Sequence, residues 1–124
     1  SKARELSPQK QDILFEIGTA YLNLGNINEV FNVFEEAYNL QPEYDQAVLL
    51  YASAAIYKND SRLADTLLME RFGTVLPPSL PLANAYINTG QVQKGIDVLE
   101  NYAEAHPDQV DAVNQFISNI RSAN

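Results

Sequence analysis

A repeat with a period near 34 residues constrains this chain more than any single motif. Small and large apolar residues recur at matched offsets: first Tyr21, Gly25, Val30 and Phe34, then 34 residues later Ala55, Asn59, Ala64 and Leu68, and after a further 31 residues Tyr86, Gly90, Gly95 and Leu99. A repeat of this length predicts stacked helical hairpins, in which each unit buries its apolar face only against its neighbours. We therefore expect an all-α chain.

The composition predicts a single domain, residues 1–124, that folds without covalent cross-links. Its 124 residues suffice for one hydrophobic core. The sequence contains no cysteine, which excludes disulfides, thiolate nucleophiles and cysteine-ligated zinc. Lys and Arg number 8 against 16 Asp and Glu, giving a net charge of -8. Because no basic stripe is present to neutralise phosphates, nucleic acid is not an expected partner.

The sequence has no run of about eighteen apolar residues, so membrane insertion by this chain is not expected. It begins at Ser1 rather than at Met, which suggests a piece of a longer or processed protein. The compartment stays undecided, because the absence of cysteine suits both the cytosol and the periplasm.

Helix start and stop signals predict seven helices, arranged as three hairpins and a capping helix. Ser7 and Pro8 favour a helix start, and Gly25 favours a stop with positive φ. A second apolar stripe follows over residues 27–40. The capping helix is predicted over about 110–122 from the apolar stripe Val110, Val113, Phe116, Ile117 and Ile120.

The first unit resembles a tetratricopeptide repeat over residues 11–44. The residues that carry the resemblance are Leu14, Ile17, Gly18, Tyr21, Gly25, Val30, Phe34, Ala37 and Pro42. Residues 45–78 and about 76–109 look like looser copies. The resemblance implies a right-handed α-solenoid, or superhelix, of three hairpins plus a C-terminal cap. It also implies a non-catalytic module or scaffold that binds a protein or a peptide without a cofactor.

The junction between the second and third units departs from the repeat pattern. Arg71 stands where a small residue is usual, and the step to the next unit is three residues short. Three of the six prolines, Pro77, Pro78 and Pro81, cluster there. Because proline fixes φ and restricts the residue before it, we expect a shortened, stiff connection near residues 73–81.

The residue types give no indication of catalysis or metal binding. His106 is the only histidine and lies at a predicted helix end, where an imidazole can complement the last carbonyls. Without a second histidine or a cysteine it cannot anchor a zinc or nucleophile site. The glycines form no phosphate-binding loop. We therefore expect neither an enzyme nor a bound metal.

The family pattern implies a concave groove lined by the first helix of each unit. Carried over position by position, its residues would be Asp12, Phe15, Thr19, Leu22, Asn23, Leu49, Ser53, Ile56, Tyr57, Asn84, Ile87 and Asn88. Four of these, Phe15, Leu22, Leu49 and Ile56, have an alternative role in packing between hairpins. The groove departs from the chaperone-tail-binding members, which clamp a terminal carboxylate with Lys, Arg and Asn, because here the comparable positions are Phe15, Thr19, Leu49 and Ser53.

Two other interpretations stay open. Glu5-Leu6-Ser7-Pro8 with Gln11, Glu70-Arg71-Phe72-Gly73, and Asn84-Ala85-Tyr86-Ile87 with Gly90 are similar to the repeat region of bacterial O-antigen ligase or polymerase-like membrane proteins. That resemblance implies an accessory domain that upstream sequence would tether to a bacterial membrane and whose parent protein performs glycan assembly. In the other interpretation, the apolar groove pairs with a second copy to form a homodimer.

Overall fold

The computed structural model describes residues 25–123 and shows only helices, turns and connections there. The six α-helices are α1 (Ile27–Leu40), α2 (Asp45–Tyr57), α3 (Ser61–Phe72), α4 (Leu80–Asn88), α5 (Val92–Ala105) and α6 (Val110–Ala123). A short 3-10 helix, Pro107–Gln109, leads into α6. The all-α prediction is confirmed. The helix predicted to begin near Ser7 lies outside the described residues.

The helices stack as expected for an α-solenoid. Helix α1 packs on α2, α2 on α3, α4 on α5, and α5 on α6. Helix α2 also packs against α4, although α3 separates them in the chain. This contact joins the first helices of two successive hairpins, so the hairpins lie side by side and share one continuous core.

The turns within the two complete hairpins have the same hydrogen-bonding pattern. After α2, the amides of Asn59 and Asp60 donate to the carbonyls of Ile56 and Ala55. After α4, the amides of Gly90 and Gln91 donate in the same way to the carbonyls of Ile87 and Tyr86. Both turns are therefore Schellman motifs. This motif needs a left-handed residue, and Asn59 has a φ of 64° where the next hairpin has Gly90 at 90°. Asparagine in place of the turn glycine therefore preserves the turn, because asparagine enters the left-handed region more readily than most other residues.

The connection between the hairpins is longer than expected. Residues 73–79 separate α3 from α4, whereas residues 41–44 suffice between α1 and α2. The shortening falls in α4 instead, which has 9 residues against 13 in α2. The prediction of a shortened connection was wrong. The distance between equivalent positions of two repeats includes both the connection and the helix that follows it, so the spacing alone does not show which of the two is shorter.

Hydrogen bonds hold this connection against the third unit. The Tyr86 hydroxyl donates to the Val75 carbonyl at 2.8 Å, and Asn101 Nδ2 donates to the Leu76 carbonyl at 2.9 Å. The Ser79 hydroxyl accepts from the Leu82 amide at 3.2 Å and caps α4. Arg71, at the end of α3, is exposed and forms an ion pair with Asp45. A large residue at this position of the repeat is therefore accommodated on the surface.

Helix α2 is enclosed by its neighbours. Nine of its 13 residues are buried, and four of these nine are alanines. Small side chains allow α1, α3 and α4 to approach α2 closely. A second close approach occurs at Gly95 in α5, where an added Cβ would lie 2.4 Å from Ile87 Cγ1 and 2.9 Å from the Ala83 carbonyl oxygen.

Helix α6 buries the centre of its predicted apolar stripe. Val113 and Ile117 are buried and Ile120 is half-buried, whereas Val110 and Phe116 are 38% and 43% exposed. A turn of 3.6 residues places Val113, Ile117 and Ile120 in one row and the other two at its edges. The centre of the stripe therefore covers the core, and Phe116, at one edge of the stripe, stays partly exposed to solvent.

Candidate partner-binding groove

Two adjoining clefts form the candidate site. The first has a volume of about 600 Å³, and the described residues that line it are Ile27, Val30, Phe34, Leu50, Ser53, Ala54, Tyr57, Leu80, Pro81, Asn84 and Asn88. The second has a volume of about 250 Å³ and is lined by Leu80, Asn84, Leu99, Tyr102, Gln109, Ala112, Val113 and Phe116. Because Leu80 and Asn84 line both clefts, we treat them as one groove that runs over α2 and α4 to α6.

The described lining of the groove is mainly apolar and carries no charged side chain. Among residues 25–123, no Asp, Glu, Lys, Arg or His lines either cleft. Its largest exposed apolar side chains are Leu80 and Phe116, at 41% and 43%. Such a lining favours apolar partner surface and offers no opposite charge to a buried carboxylate or ammonium group.

Five of the polar side chains in the groove, Ser53, Tyr57, Asn88, Tyr102 and Gln109, already form hydrogen bonds within the described chain. The Ser53 hydroxyl donates to the Leu49 carbonyl at 2.7 Å. Asn88 Nδ2 donates to the Tyr57 hydroxyl at 3.0 Å, which joins α4 to α2. Tyr102 likewise donates to Gln109 Oε1 at 3.2 Å in the second cleft.

The sequence identified part of this lining. Of the predicted groove residues, Ser53, Tyr57, Asn84 and Asn88 come together in the first cleft. The predicted residues of the first unit, Asp12, Phe15, Thr19, Leu22 and Asn23, lie outside the described residues.

Three predicted groove residues do not line either cleft. Leu49 and Ile56 are buried, with exposures of 9% and 2%, and belong to the core. Ile87 is half-buried and packs against the core, with its side chain over Gly95. Of the two roles open to Leu49 and Ile56, their burial favours packing between hairpins. Because α2 is packed on several sides, its helical period does not identify one open face.

Sequence reasoning missed Leu50, Leu80, Pro81 and Phe116. A usable signal existed for Leu80, which precedes Asn84 by four residues and therefore lies on the same face of α4. Leu50 precedes Tyr57 by seven residues, two helical turns, and shares its face of α2. Phe116 was predicted as part of the apolar stripe of the capping helix. The spacing of the stripe does not show which of its residues lie at the exposed edge and which at the buried centre.

The pKa values of two tyrosines are raised by their surroundings. Burial raises the pKa of Tyr51 to about 12, and the hydrogen bond from its hydroxyl to Glu35 Oε2, at 3.1 Å, adds to the shift. Burial also raises the pKa of Tyr86 to about 12, with a smaller effect from the charge of Asp65. Both tyrosines are buried, and neither lines the groove. Their raised pKa values therefore reflect packing of the uncharged phenol in the core, and we assign them no acid–base role.

His106 has the local role expected of it. It follows α5 directly, its Nδ1 lies 3.0 Å from the Tyr102 carbonyl oxygen, and its ring stacks on that of Tyr102 with 4.1 Å between centroids. Within residues 25–123, no three His, Asp or Glu side chains gather where they could hold a metal ion.

Comparison with known protein families gives a match in the N-terminal part of the chain. Residues 11–44 match the family model described as a tetratricopeptide repeat. Neither the search of curated proteins nor the search of solved structures found a match. The narrower resemblance to O-antigen ligase-like proteins is therefore unsupported. In the part of the chain that the structure describes, no helix combines the length and the apolar character needed to span a bilayer.

Proposed function

The chain carries a tetratricopeptide repeat, and because such repeats are generally protein-interaction modules, we propose that it binds a peptide segment of a partner protein in its groove. Domains of this kind are typically non-catalytic. The partner would lie across α2 and α4 and reach α6. The repeats at 11–44, 45–78 and 76–109 would form the scaffold that holds these helices in place.

The observation that carries the proposal is the mainly apolar lining that residues 25–123 give the groove. Two joined clefts with exposed Leu80 and Phe116 present apolar surface that a partner can cover. Tyr57, Asn84 and Asn88 add groups that can orient the partner through hydrogen bonds. A terminal carboxylate is not the expected anchor, since no described cationic side chain lines the groove.

A double variant tests this proposal. Tyr57→Ala together with Asn88→Ala should reduce capture of partner proteins, because both side chains line the first cleft. Asn32→Ala is a matched control, since Asn32 is exposed and lies about 200° round α1 from the cleft residue Val30. Circular dichroism should show the same helicity in all three proteins. Unchanged capture by the double variant would refute the groove as the binding site.

Self-association is a second candidate function. The exposed Leu80 and Phe116 side chains of one copy could be covered by those of another, which would bury the second cleft at an interface. Light scattering over a range of protein concentrations tests this interpretation. A mass that rises towards twice 13.8 kDa would support a dimer, and a constant monomer mass would eliminate it.

A further inference from the structure

Helix α6 has a cleft on each of its two flanks. On the flank that faces α4 lies the second cleft of the groove, with Phe116 in its wall. On the other flank lies a further cleft of about 380 Å³, and its described lining residues are Glu100, Asn114, Ile117, Ser118, Arg121 and Ser122. Phe116 and Ser118 are two residues apart, about 200° round the helix, so the two clefts lie on opposite flanks of α6.

Between these clefts, α6 rests on α5 along one narrow row of side chains. Val113 and Ile117 are the buried residues of α6, and the half-buried Ile120 continues their row. Among the helices that the structure describes, α2 packs on both α1 and α4, whereas α6 packs on α5 and has no comparable packing against α4. A helix held along one row can tilt about that row, because the side chains in the row stay close to the axis of rotation.

A tilt towards α4 brings two exposed apolar side chains together. Leu80 on α4 and Phe116 on α6 both line the second cleft and are 41% and 43% exposed. This tilt is favoured because it removes the apolar surface of both side chains from water. It also closes the end of the groove with the chain's own Phe116.

A tilt in the opposite direction brings two opposite charges together. Glu100 on α5 and Arg121 on α6 line the cleft on that flank. In the part of the chain that the structure describes, neither of them forms an ion pair. An exposed ion pair is weak and is screened by salt, so a pair between Glu100 and Arg121 would favour this position of α6 without fixing it there.

We propose that α6 is a movable flap at the end of the groove, which tilts on the row of Val113, Ile117 and Ile120 between two positions. In the closed position, Phe116 packs on Leu80 and the second cleft is shut. In the open position, the Arg121 side chain pairs with Glu100 and the second cleft is accessible. The flap thereby regulates how far a partner extends along the groove, and only this consequence rests on the proposed function.

A single tryptophan tests which position α6 takes. The chain contains no tryptophan, so Phe116→Trp introduces one fluorophore, at a side chain exposed enough to accept it. Adding Glu100→Gln removes the open contact, and we expect the tryptophan emission to shift to shorter wavelength as the ring packs on Leu80. Salt at about 1 M should shift the emission of the Phe116→Trp protein in the same direction, because it screens the ion pair. The salt effect should be smaller when Glu100→Gln is present.

Glu104→Gln is the matched control for Glu100→Gln. It removes the same charge from an exposed residue of the same helix, four positions further on, and Glu104 lines neither cleft beside α6. The emission should therefore stay where it is in the Phe116→Trp protein.

Distances between spin labels measure the movement with Phe116 intact. The chain has no cysteine, so Gln46→Cys with Gln115→Cys places one label on α2 and one on α6. Gln46→Cys with Gln93→Cys gives a reference pair on α2 and α5, and all three glutamines are exposed. We expect a broader or two-peaked distance distribution for the pair that includes α6.

Equal widths for the two label pairs would overturn the flap. A tryptophan emission that responds equally to Glu100→Gln and Glu104→Gln would overturn it as well. None of these measurements involves a partner, so they are independent of partner capture. If the Tyr57→Ala, Asn88→Ala double variant lost capture while α6 proved immobile, the proposed function would stand and the flap alone would be refuted.

Discussion

Asn88 Nδ2 donates a 3.0 Å hydrogen bond to the Tyr57 hydroxyl, linking the last residues of α4 and α2 across the first cleft. Both residues line that cleft. The bond is exposed, so water competes for both groups and its net contribution to stability is small. A ligand can therefore take over the Asn88 amide at little cost to the fold.

Removing this bond should scarcely change stability. Tyr57→Phe keeps the ring that packs against the core and deletes only the hydroxyl. We expect the free energy of unfolding in urea to fall by no more than about 1 kcal/mol. A double-mutant cycle with Asn88→Ala should give a coupling energy of similar or smaller size. A coupling above about 2 kcal/mol would show that the bond is structural rather than available to a ligand.

Gly95→Ala should destabilise the third unit. Alanine favours a helix over glycine by about 1 kcal/mol, but its Cβ would lie 2.4 Å from Ile87 Cγ1 and 2.9 Å from the Ala83 carbonyl oxygen. Because that oxygen belongs to the backbone, α4 and α5 would have to separate, and we expect a net loss of about 1 to 3 kcal/mol by urea unfolding. Ile87→Ala in the same protein should make the two losses less than additive. A variant as stable as the parent would contradict the close helix approach.

The left-handed turn after α2 should tolerate glycine but not alanine. Asn59 has a φ of 64°, a conformation that costs an alanine about 1 kcal/mol. Asn59→Ala should lower the melting temperature, whereas Asn59→Gly should leave it nearly unchanged. Gly90→Ala offers a comparison in the next hairpin, at a φ of 90°. Equal melting temperatures for Asn59→Ala and Asn59→Gly would argue against the Schellman turn.

Alkaline pH should unfold the protein through its buried tyrosines. The pKa values of Tyr51 and Tyr86 are about 12 in the folded chain and 10.0 in an exposed phenol. Between these values the unfolded chain releases protons that the folded chain retains, so the free energy of unfolding falls as pH rises. The stabilisation is complete below pH 10 and lost as pH passes through about 12. Urea unfolding at a series of pH values, with tyrosinate absorbance as a second signal, measures it. A free energy of unfolding that stays constant from pH 9 to 12 would contradict the shifts.

The sequence predicted the elements of the fold better than the groove. Turn residues such as Asn59 and Ser79 act locally, through φ and a capping hydrogen bond, so their identity suffices to place helix ends. Which side of α2 stays open depends on three surrounding helices, and the spacing of Leu49 and Ile56 contains no information about them. Tyr57 and Asn88 were predicted from the family pattern, carried over position by position, and both line the first cleft.

The enclosure of α2 also determines where this protein can change. With nine of its 13 residues buried, most substitutions along α2 disturb two or three packed neighbours at once, and its alanines leave no space for larger side chains. In α6, by contrast, only Val113 and Ile117 are buried. New binding specificity is therefore more accessible to evolution or engineering through the Phe116 end of the groove than through its α2 wall.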